Sequence, residues 1–192
     1  MGLFEVLLLS VGLAMDAFAV SVCKGLASGK ATIKEYLLCG TWFGAFQAAM
    51  PLAGYLAGSG FERTISYAAP WVAFILLTLI GCNMIREALG PDEEVSPGFD
   101  IKTMFLMAVA TSIDALAVGI TFVAVPVEIV DSGRLVNVIL AVIIIGAVTC
   151  LISMAGVAAG SAFGDRYRKG SGIMGGVILL IIGLHSLITH LM

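Results

Sequence analysis

The sequence predicts an all-α membrane protein: six transmembrane helices arranged as two inverted three-helix repeats. Three observations carry that expectation. The 192 residues are 60% hydrophobic and only 12% charged, against about 25% charged in a soluble domain. Six apolar runs reach the length of about 20 residues that a bilayer core demands of a helix. A motif centred on Asp16 in the first run returns, centred on Asp114, in the fourth.

The runs are Leu3–Cys23, Tyr36–Gly58, Tyr67–Ile85, Thr103–Val125, Leu135–Phe163 and Gly172–Leu191. The fifth is long enough to tilt or to extend past the membrane. Pro70 and Pro126 stand at helix ends, where proline is tolerated, whereas Pro51 falls inside the second run. It is expected to kink that helix and free a carbonyl, which protein or a cavity must then satisfy. Nothing basic precedes the first run, so no cleavable leader is expected.

Lys and Arg give the orientation. The connections after spans one, three and five hold Lys24, Lys30, Lys34, Arg86, Lys102, Arg166, Arg168 and Lys169; the opposite side holds only Arg63 and Arg134. By the positive-inside rule the eight are cytoplasmic, and both termini face outward.

The two halves align. Asp16 and Asp114 stand 98 residues apart, and the alignment also pairs Ala17 with Ala115, Ala19 with Ala117 and Val20 with Val118. Further on, Gly44, Gly54, Gly58 and Gly81 pair with Gly146, Gly156, Gly160 and Gly183 at an offset of 102. Because three spans make an odd number, the second copy enters the membrane from the other face, as inverted repeats of secondary transporters do. The expected organisation is a first repeat over 1–86, an acidic cytoplasmic linker over 87–102 containing Asp92, Glu93 and Glu94, and a second repeat over 103–192. Small-xxx-small pairs such as Gly40/Gly44 and Gly156/Gly160 let helices approach closely.

An acid inside a membrane helix costs about 2.5–3.5 kcal/mol on insertion scales. Two acids at matching places point to one shared midplane site. Two facing carboxylates in low dielectric do not comfortably both ionise, so they share a proton or hold a cation. A divalent cation then competes with protons, which is a coupling mechanism. Gln47 of span two and its counterpart Thr149 of span five add neutral oxygens. Thr111 and Ser112 stand a turn or less before Asp114, and Asn83 of span three pairs with His185 of span six. Asn83, with Glu87 a turn further, would line an inner vestibule. His185 and His190 read as structural or helix-end histidines, and Met15 as packing. The expected metal-ligand set is Asp16, Asp114, Gln47, Thr149, Asn83 and Ser112, a hard oxygen set suited to Mn, Mg or Ca rather than Cu or Zn.

The strings MDAFAVS at Met15–Ser21, FGAFQAAMPLAGY at Phe43–Tyr55, GCNMIREAL at Gly81–Leu89, SIDALAVG at Ser112–Gly119 and GLHSLITH at Gly183–His190 resemble the MntP-type manganese efflux pumps over nearly the whole chain. That resemblance implies a fold related to lysine exporters, an inner-membrane location and export of Mn²⁺. It maps the family's essential aspartates to Asp16 and Asp114. Gln47 takes a position where other members carry Glu or Gln. Partners are then Mn²⁺, protons and lipid, with no resident cofactor, no catalysis and no nucleic acid.

Other readings are export of another divalent cation, export of an amino acid, and intramembrane thiol redox. Amino-acid recognition wants a cationic or helix-end partner for the carboxylate, and no Lys or Arg lies inside a predicted span. The four cysteines, Cys23, Cys39, Cys82 and Cys150, form no CxxC, and none repeats between the halves. They read as small apolar side chains. No Ser/His/Asp or HExxH arrangement suggests a hydrolase.

Overall fold

The structure, a computed structural model, describes residues 1–28, 30–58, 71, 74–75, 77–82, 85–86, 89, 100–164 and 168–191. Among these residues are five long helices: α1 (Leu3–Ser28), α2 (Ile33–Ala57), α3 (Ile101–Ala124), α4 (Arg134–Gly164) and α5 (Arg168–Leu191), with a further helical segment at 77–82. No strand occurs among the described residues. Among them, three helices are long and apolar enough to cross a membrane: Leu3–Ser28, Ile101–Val123 and Arg134–Phe163. Of the linker expected over 87–102, residues 87–88 and 90–99 lie outside the described residues, as do Asn83 and the side chain of His190.

Local chemistry sets the helix ends. α1 runs five residues past the predicted Cys23, because Lys24 does not stop it; the lysine is only 2% exposed and continues the buried face. Before α2, Glu35 reaches back to accept the Thr32 N–H at 2.6 Å, half of a capping box. α2 stays helical through Pro51 and ends on Gly58, whose φ of +72° suits glycine. Asp100 caps α3 by accepting the Thr103 N–H at 3.0 Å. The Arg134 guanidinium donates to the Phe122 and Val123 carbonyls at the other end of α3.

The α3–α4 connection is built around Asn137, which is buried. Its Oδ1 accepts the N–H groups of Ile129 and Val130, each at 2.9 Å, and its Nδ2 donates to the carbonyls of Val130 and Ser132, each at 3.1 Å.

Glycine contacts fix the helix directions. A Cβ on Gly156 would meet the Phe18 carbonyl, and one on Gly160 the Val22 carbonyl, so α1 and α4 rise together. Gly40 lies against Met154 and Cys150 while Gly44 lies against Gly146, so α2 and α4 run antiparallel. Phe46 stacks edge-on to Phe105 at 5.4 Å, and Gly54 lies against Leu116 and Ile120, so α2 and α3 are parallel. Two parallel helices in succession require the chain to cross back between them. The segment 77–82 falls in that interval, and its Gly81 packs on Gly176 of α5.

Several contacts join positions that the sequence aligns. Gly44 and Gly146 meet each other reciprocally, with a Cβ on either 2.7–2.8 Å from the other's carbonyl oxygen. Gly54 on Leu116 has its counterpart in Gly156 on Phe18. α1 packs most extensively on α4, and α2 on α3 and α4.

A candidate cation site between two apolar clusters

Apolar side chains gather in two clusters. One holds Ala17, Val20, Phe43, Met107, Ala110 and Val157, the other Leu13, Ala115, Val142 and Ile145. On each of α1, α3 and α4 the clusters stop short of each other. The interruption covers Ala14–Asp16 on α1, Thr111–Asp114 on α3 and Gly146–Gly156 on α4. On α2, Gln47 falls between Phe43 of the first cluster and Met50, packed against the second. So Asp16, Gln47, Thr111, Ser112, Asp114 and Thr149 share one level of the bundle.

Asp16 and Asp114 lie within electrostatic reach of each other, and Asp16 within reach of His185. Both carboxylates are open at the surface of the isolated chain. Among the described residues, no atom lies within 4 Å of where a Cβ on Gly12, one turn before Asp16, would stand. Met15, expected to pack, is 46% exposed on the same side. One Asp114 oxygen accepts the Ala115 N–H at 2.8 Å.

Gln47 is wholly buried. Its Nε2 donates to the Leu13 carbonyl at 3.0 Å, while Oε1 has no protein partner. The Thr149 hydroxyl is buried and equally without one. Ser112 and Thr111 differ, since their hydroxyls bond the carbonyls of Ala108 and Met107 in their own helix at 2.5 Å and 3.0 Å. Ser112 therefore retains only its lone pairs for a cation. Asn83 is outside the described side chains. The described residues hold no cluster of three or more His, Cys, Asp or Glu. The four cysteines are free thiols.

Sequence reasoning did not find Ser153. Its hydroxyl is buried without a partner one turn past Thr149. The i, i+4 spacing was the available signal.

The family described as "Putative manganese efflux pump" matches residues 30–187. A protein of Desulfitobacterium hafniense (strain Y51), named "Putative manganese efflux pump MntP", is 48% identical over 191 residues, covering 100% of this chain and 97% of the relative. The chain belongs to this family. Relatives of the same name in Bifidobacterium adolescentis and Acetivibrio thermocellus are 45% and 44% identical, covering 98% and 100% of this chain and 97% and 93% of their own lengths. No solved structure matches. Family membership and the apolar helices make this a multi-pass membrane protein.

Proposed function

We propose that this chain exports Mn²⁺ across the cytoplasmic membrane in exchange for protons, through a site centred on Asp16 and Asp114. Relatives named as manganese efflux pumps over their full lengths support the substrate and the direction. The observation that carries the site is the shared polar level, where two carboxylates within electrostatic reach stand with the partnerless oxygens of Gln47 and Thr149. Carboxylate and carbonyl or hydroxyl oxygens suit a hard divalent ion. The same carboxylates, once protonated, release it, so ion and proton exchange at one place. Ser112 and Asn83 complete the proposed set. The openness beside Asp16 and Gly12 serves as an approach for a partly hydrated ion.

The arrangement is six spans in two inverted repeats, with the linker cytoplasmic and both termini outside. Parallel α2 and α3, and the mutual contact of Gly44 with Gly146, favour it. Such a pseudo-twofold axis would pass between those two glycines.

The test is growth in added manganese of cells lacking their own exporter. The parent protein should protect them, and Asp16→Asn or Asp114→Asn should not, at equal amounts in the membrane. Protection by either variant at the parent's level would overturn the site.

A further inference from the structure

Among the described residues, buried hydroxyls divide into two groups. Ser10, Thr111 and Ser112 bond a carbonyl one turn back in their own helices, the usual way to satisfy a hydroxyl in a membrane helix. The hydroxyls of Ser21, Thr149 and Ser153, in wholly buried residues, do not, and neither does that of the half-buried Thr78, outside this interface. Buried polar atoms nearly always have a partner, from protein or ordered water.

Ser21, Thr149 and Ser153 are not scattered. Thr149 and Ser153 are four residues apart on the face of α4 that also carries Gly156, so about 6 Å separates them along the axis. The Ser21 side chain lies 2.9 Å from the Cβ position of Gly156, three residues beyond Ser153, or about 4.5 Å further. Ser21 stands beside the Cys39 thiol, which is a weak partner at best. Lys24 is one turn on, near Cys23, Cys39 and Asp100. Along the helix axis, each step from Thr149 to Lys24 stays within the span of about 5–6 Å that one water bridges with two hydrogen bonds.

We propose that the interface of α1, α2 and α4 holds a single file of bound water, running from Gln47 and Thr149 past Ser153 and Ser21 to Lys24, and that this file carries protons from the central carboxylates to the cytoplasmic end. The role rests on the proton-coupled reading above. A carboxylate releases its proton to the nearest water and another proton leaves the file at the Lys24 end; reorientation of the hydroxyls then restores the file, with no net chemistry. The ionisable groups along the way are Lys24, Glu35, Asp100 and the thiols of Cys23 and Cys39 at one end, and Asp16, Asp114 and His185 at the other. The metal takes a different route. A file one water wide does not admit a hydrated divalent ion, and the contacts of Gly25 with Val157 and of Gly160 with Val22 close the interface beside it.

The test pairs two measurements on the purified full chain. X-ray hydroxyl-radical labelling reports water beside buried groups, and an internal pH dye in proteoliposomes reports Mn²⁺-driven proton movement. Cys39 should label readily despite its burial, while the equally buried Met107 should stay protected after correction for intrinsic reactivity. In Ser21→Ala/Ser153→Ala, Cys39 labelling should fall at least threefold and proton movement at least fivefold, with the Mn²⁺-induced rise in thermal stability kept. Ser153→Thr, which keeps a hydroxyl, should retain proton movement. A Cys39 as protected as Met107, or proton movement in the double variant equal to the parent's, overturns the file. A parent that transports Mn²⁺ but moves no protons instead overturns the coupled reading, and the conducting role with it.

Discussion

One end of the Gln47 amide holds α1 through the Leu13 carbonyl, and the other end is an unpartnered oxygen at the level of the two aspartates. Those tasks separate by substitution. Gln47→Leu loses both, and should lower stability by about 1 kcal/mol and weaken the Mn²⁺-induced thermal shift. Gln47→Glu keeps an oxygen and adds a charge, so it should strengthen that shift; a weaker shift would count against Gln47 as a ligand. Asn137 has a structural role, since four hydrogen bonds from one side chain order the α3–α4 connection. Asn137→Ala strands two backbone N–H groups and should destabilise by about 2–3 kcal/mol, measured by thermal unfolding in detergent, without changing which metal the protein binds. The aspartates and Gln47 were legible in the sequence, because acid and amide are rare in apolar runs and announce themselves. Ser153 and Asn137 were not, because Ser and Asn are common in helices and only burial with or without partners separates a working group from a filler.

At the scale of the helix, the Asp100 cap of α3 makes a pH prediction. Desolvation pulls its carboxyl upward, but hydrogen bonds from the Thr103 backbone and side chain and from its own backbone, with the charge of Lys24, together hold it below its ordinary 3.8. Its folded value lies below the unfolded one, so the contribution is complete above about pH 4 and disappears as pH falls through the folded value. Asp100→Ala should therefore cost about 0.5–2 kcal/mol at neutral pH, and parent and variant melting curves should converge only below about pH 4. A gap that persisted unchanged into that range would remove the ionised cap. Helix ends were only partly legible. Predicted and observed limits agree within two residues for the helix carrying Asp114, whereas Lys24 was read as the end of the first. A lysine next to an apolar run marks a boundary only when its ammonium reaches water, and the sequence does not say that it is buried.

For the whole molecule, orientation and span number can both be read with added cysteines. In a variant cleared of its native thiols, Ser132→Cys should react with an impermeant maleimide applied to intact cells, and Lys30→Cys only after permeabilisation. The reverse pattern would invert the topology; reaction of both from outside would break the alternation of spans. The marks that align the two halves of the sequence are an acid and a series of glycines, which apolar packing does not easily replace. Which helices those glycines bring together was not visible, since a small residue states that something comes close but not what.

The mutual approach of Gly44 and Gly146 has a thermodynamic signature. A methyl group at either position must push α2 and α4 apart, and the gap opened by the first substitution is the space needed by the second. Gly44→Ala and Gly146→Ala should each lower the melting temperature, and the double substitution should cost clearly less than the two together, a non-additivity expected of residues that share one contact. Strict additivity would mean that the backbones do not touch there.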